Sequence, residues 1–64
     1  MGVKVEIKYK NRATEKLYDG LARDFIIQYR INDYFKNEFI YFSYDDVDMY
    51  IKYDEIISVK MIEA

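Results

Sequence analysis

Residues 3 to 10 alternate without a break, Val3, Val5, Ile7 and Tyr9 in one row and Lys4, Glu6, Lys8 and Lys10 in the other. Successive side chains of a strand point to opposite faces, so an apolar row interleaved with a charged row marks a strand half in water. No other feature constrains the fold as tightly, because a helix through these residues would spread its charges all round. Composition leans the same way. β-Branched and aromatic residues, 8 Tyr and 4 Phe among them, far outnumber Leu, Ala and Met, and they suit a pleated, half-buried surface.

The rest of the chain reads as further strands divided by turns. Asn11-Arg12 marks a first turn, or part of a longer loop, since Arg is strained at positive φ. Asp19-Gly20 is the better turn signal, because both residues tolerate the left-handed region. Phe25, Ile27, Tyr29 and Ile31 alternate with Ile26, Gln28 and Arg30, and Asn32, Asp33, Lys36 and Asn37 mark the next connection. Residues 38 to 44 are apolar on both faces, as in an interior strand. Asp45-Asp46 turns the chain into 47 to 53, with Val47, Met49, Ile51 and Tyr53 inward. After a break at Asp54-Glu55, Ile57, Val59 and Met61 face in, leaving Ile56 and Ile62 outward.

Turns at this regular spacing predict a single all-β domain over 1–64: a five- or six-stranded antiparallel meander or an SH3-like, partly open barrel. The alternative is an α+β fold with one helix at about 13–24, where Ala13, Leu17 and Leu21 recur every fourth residue. Gly20 would cost that helix ~1 kcal/mol relative to Ala, so a hairpin is the preferred reading there. A domain of 64 residues with no Cys also buries a small core.

The stretch Tyr50-Ile51-Lys52-Tyr53-Asp54-Glu55-Ile56-Ile57-Ser58-Val59-Lys60 resembles the closing element of SH3-like and Sm-like small barrels. In those families a strand, a one-turn break and a final strand bring the chain back to strand one. In size and composition the whole chain is similar to small phage-encoded anti-CRISPR and other anti-defence inhibitors. That likeness implies a protein that blocks a host nuclease by occupying its basic nucleic-acid site.

Chemistry is narrowed by what is missing. With no His and no Cys, the commonest general base, the thiol nucleophile and most transition-metal ligands are absent. The hydroxyls of Thr14, Ser43 and Ser58 have no imidazole to activate them. Asp46-Val47-Asp48 lacks the Gly and terminal Glu of a calcium loop. No enzyme, cofactor or metal is expected. The longest apolar run, Phe39-Ile40-Tyr41-Phe42, is far short of the ~20 residues that cross a membrane, and no signal-peptide pattern is present. The expected location is the cytoplasm, that of the host cell if the protein is phage-encoded.

Charge is unevenly divided. Residues 1–36 hold eight basic and five acidic groups, a net of +3; residues 37–64 hold two and seven, a net of −5; together they make the overall −2. On the strand reading Asp46, Asp48, Tyr50, Lys52 and Asp54 share an outward row, with Asp45 and Glu55 beside it. Lys4, Lys8 and Lys10, continued by Arg12, form the opposing basic row. If the two rows are neighbours they neutralise each other, each exposed pair contributing only ~0–1 kcal/mol. If not, two surfaces stand open. Asp45, Asp46, Asp48, Tyr50, Asp54 and Glu55 would then mimic phosphate towards a protein with a basic surface, such as a nucleic-acid-binding host enzyme. Lys4, Lys8, Lys10 and Arg12 would serve the alternative, an Sm-like oligomer holding RNA or single-stranded DNA. Tyr9, Tyr29 and Tyr53 fall on inward rows, whereas Tyr41, Tyr44 and Tyr50 each have a reading that exposes them. Exposed Ile56 and Ile62 would suit covering by a second copy, as in a homodimer.

Overall fold

In a computed structural model that describes residues 2–63, the N-terminal alternation becomes strand β1, Val3–Tyr9. It lies at the centre of an antiparallel sheet ordered β2-β1-β5, between β2 (Glu15–Tyr18) and β5 (Ile56–Glu63). The apolar row Val5, Ile7 and Tyr9 is buried and the charged row faces water. A second antiparallel pair, β3 (Phe39–Tyr44) and β4 (Val47–Lys52), forms a separate hairpin. Helix α1, Asp19–Phe35, packs between the two. The fold is therefore α+β, not all-β.

The expected strand over 25–31 and the second half of the hairpin expected over 12–24 are overturned by α1, whereas the first half of that hairpin is strand, β2. The stretch carries two periods at once. Its alternation is real, but Ala22, Phe25, Ile26, Tyr29 and Asn32 recur at three- and four-residue spacing, and this row turns inward. Phe25 is fully buried, stacked on Tyr29 at 5.6 Å and set edge-on to Phe42 at 5.6 Å. Ile27 and Ile31, inward on the strand reading, are left exposed. The helix also begins later than the 13–24 alternative, because residues 15–18 pair with β1.

Both ends of α1 are set by left-handed residues. Asp19 has φ 51°, so the Asp-Gly turn signal marks the strand-to-helix junction and Asp, not Gly, takes the unusual conformation. At the other end Lys36 has φ 58° and its N–H donates to the Asn32 carbonyl at 2.8 Å. The buried Asn32 side chain then holds the exit: its Oδ1 accepts from the Asn37 N–H at 2.9 Å, and its Nδ2 donates to the Asn37 carbonyl at 3.1 Å. Only three residues separate α1 from β3.

Two further expectations are corrected. β3 is not an interior strand; it bonds to β4 alone, and its second apolar row, Phe39 and Tyr41, stays exposed. In β5 the phase slips at a bulge, since Lys8 faces Ser58 while Tyr9 faces Ile56. Ile56 thereby joins the core-facing row and Ile57, the extra residue, is exposed. Ile62 is half-buried. Between β4 and β5 lies a one-turn 3-10 helix, Tyr53–Glu55, after which the chain runs back along β1.

The first loop is pinned by Tyr9. Its hydroxyl donates to Glu15 Oε1 at 2.7 Å, and the Arg12 guanidinium sits 3.9 Å from the ring centre. Burial first, and then the Glu15 carboxylate, push the Tyr9 hydroxyl well above its usual pKa.

Candidate functional site: the outer face of the hairpin

Register determines what the β3–β4 hairpin shows to solvent. Ile40 lies opposite Ile51 and Phe42 opposite Met49, and these pairs turn inward. The other rungs, Phe39 with Lys52, Tyr41 with Tyr50 and Ser43 with Asp48, therefore share the outer face. Tyr41 and Tyr50 meet with ring centres 4.8 Å apart at 38°, yet Tyr50 remains 67% exposed. The Tyr41 hydroxyl donates to Asp48 Oδ1 at 3.2 Å. That carboxylate is the largest cause raising the Tyr41 pKa. Aromatic pair and carboxylate form one plate.

The tip of the hairpin adds charge at a conformational cost. Tyr44 and Val47 are partners, so the loop is Asp45-Asp46 alone, with φ 51° and 64°. Positive φ at both central residues is the type I′ pattern that matches strand twist, and its second position favours Gly. Asp46 occupies that place, with Asp45 beside it and Asp48 on the adjoining rung. None of the three carboxylates has a cationic partner among the described residues.

Helix α1 extends the plate. A shallow groove between α1 and β3 is lined by Asp24, Ile27 and Gln28 on one side and Tyr41 and Ser43 on the other. It continues past Ile31 to Phe39. Exposed Ile27, Ile31, Phe39, Tyr41 and Tyr50 thus adjoin.

The six residues expected to form one acidic surface are divided. Asp45, Asp46, Asp48 and Tyr50 gather at the hairpin, but Asp54 and Glu55 sit in the 3-10 turn at the far end of β4, where the Glu55 carbonyl accepts from the Lys10 N–H. The basic row is divided too. Lys4 and Lys8 lie on the outer face of the three-stranded sheet, Lys10 follows the strand end, and Arg12 is committed to Tyr9. Cross-strand partners bring Lys16 and Lys60 to flank Glu6, so that four lysines surround one glutamate. Lys4 pairs with that glutamate at 3.4 Å. Lys16, Lys60 and the α1 side of the groove were not among the expected site residues. Their membership depends on which strands pair and on 25–31 being helical, neither of which the residue types signal.

No group of three or more acidic side chains that could hold a metal ion occurs among the described residues. No helix is long and apolar enough to cross a membrane. No protein-family model, curated protein or solved structure matches the chain.

Proposed function

We propose that this chain is a non-catalytic protein-binding module whose hairpin plate docks on a basic surface of its partner, occluding the site where that partner holds nucleic acid. One observation carries the reading. Two adjacent aspartates are kept at positive φ in a two-residue turn, beside an exposed Tyr41–Tyr50 pair tied to Asp48. A carboxylate kept at Asp46, where the turn geometry favours Gly, is a pointer to function. The carboxylates supply sign selection and association rate, and the tyrosines supply buried area at little entropic cost. A defence nuclease, inhibited by this chain, is the partner class that agrees with the likeness in size and composition.

Replacing the turn by the residues its geometry favours, Asp45→Asn with Asp46→Gly, separates fold from function. The variant is expected to unfold at higher denaturant, by about 1 kcal/mol, while capturing less nucleic-acid-handling protein from host lysate than the parent chain. Equal capture by a more stable variant would overturn the proposal.

A second reading rests on the lysine face. Lys4, Lys8, Lys16 and Lys60 on one side of the sheet could hold a phosphate backbone, with binding that falls steeply as salt rises.

A further inference from the structure

The edge of β5 lies outside both surfaces described above. In the three-stranded sheet β1 is bonded on both sides, β2 presents an edge of four residues, and β5 presents one of eight. Among the described residues the strand bonded to β5 is β1, and Ile26 and Ile27 of α1 line a groove with Met61. An edge row of N–H and C=O groups is a template for another strand unless it is short, bulged, proline-bearing or charged on its inward row. The chain has no Pro. The bulge at Ile57 lies near the strand start, and Ser58 to Glu63 run in regular register against Lys8 to Val3. The inward row there is Val59, Met61 and Glu63; Met61 is 41% exposed, and the one inward charge, Glu63, stands at the strand end and lines a groove with Arg23 and Arg30 of α1.

We propose that β5 pairs antiparallel with β5 of a second copy, about a two-fold axis at Met61, to give one six-stranded sheet. The strand's own sequence argues for a copy of itself as the occupant. Set antiparallel about that point, Met61 meets Met61 of the second copy, Lys60 meets Ile62, and Val59 meets Glu63. No like charges stand directly opposed, and the exposed methionines cover each other. Centring the axis one residue earlier would set lysine against lysine, which is destabilising. The contact is self-complementary, so it closes at two copies. Residues opposite one another share a face, which places both lysine faces on the same side. Their repulsion is screened by salt, so the dimer tightens as salt rises. Docking of one copy's lysine face on another's acidic hairpin would respond with the opposite sign.

Sedimentation of the full chain over a concentration series, at low and high salt, tests this. The expected result is a monomer–dimer equilibrium whose dissociation constant falls several-fold at high salt. Met61→Lys is expected to give a monomer with an unchanged circular dichroism spectrum. Met61→Cys, the only cysteine in that chain, is expected to form a disulfide-linked dimer on mild oxidation. A monomer at every concentration, a dimer that salt loosens, or failure of Met61→Cys to cross-link would each overturn the proposal.

Discussion

Gly20 shows how much one missing carbon decides. A Cβ at that position would collide with the ring of Tyr44, so the absence of a side chain lets the last aromatic of β3 lie against the first turn of α1. Tyr9 links stability to alkaline pH. Its folded pKa is raised above 10.0, the value of a free phenol. A raised pKa means the folded state holds its proton where the unfolded chain has lost it, so this contribution is complete below pH 10 and declines above it. Thermal melts are therefore expected to fall as pH rises beyond 10, and the fall should be shallower in Tyr9→Phe. A Tyr9→Phe melt with the same alkaline slope would refute that assignment. The inward position of Tyr9 was legible from its parity with Val5 and Ile7. Its partners Glu15 and Arg12 were not, since a loop brings them together.

At the scale of elements, β1, β4 and β5 follow from alternation, and the Asp45-Asp46 turn from its composition. The helix does not, because residues 25–31 satisfy a period of two and a helical period equally. What settles the matter is that the buried row of the first sheet, Val5, Ile7, Tyr9 and Leu17, needs a cover, and the row Ala22, Phe25 and Ile26 supplies it. The helix end depends on Asn32. Asn32→Ala leaves both backbone groups of residue 37 without their partners and is expected to cost about 1–3 kcal/mol in urea unfolding. Asn37→Ala retains those backbone bonds and should cost far less. Equal losses would show that Asn32 is not the anchor.

Across the whole molecule, the charge division depends on strand order. The first and last strands do pair, yet the acidic row lies on β4, which bonds only to β3. The lysines of β1 therefore gather Lys16 and Lys60 rather than aspartates, leaving a basic sheet face and an acidic hairpin. Replacing Lys16 and Lys60 by Glu is expected to remove any low-salt gel shift with mixed oligonucleotides and to leave protein capture by the hairpin intact. Loss of capture in that variant would tie the two surfaces together and count against separate roles.

The sequence by itself determined the strand parity of β1 and β4, the turn between β3 and β4, and the exclusion of imidazole and thiol chemistry. These are local: they depend on residue type and on neighbours within a few positions. Only the tertiary structure decided that 19–35 is helical, which lysines share a face, and that the acidic row stands apart from them. A residue pattern with two periods is resolved by what it must cover, and charge complementarity by which strands are adjacent; both are long-range properties of the packed chain.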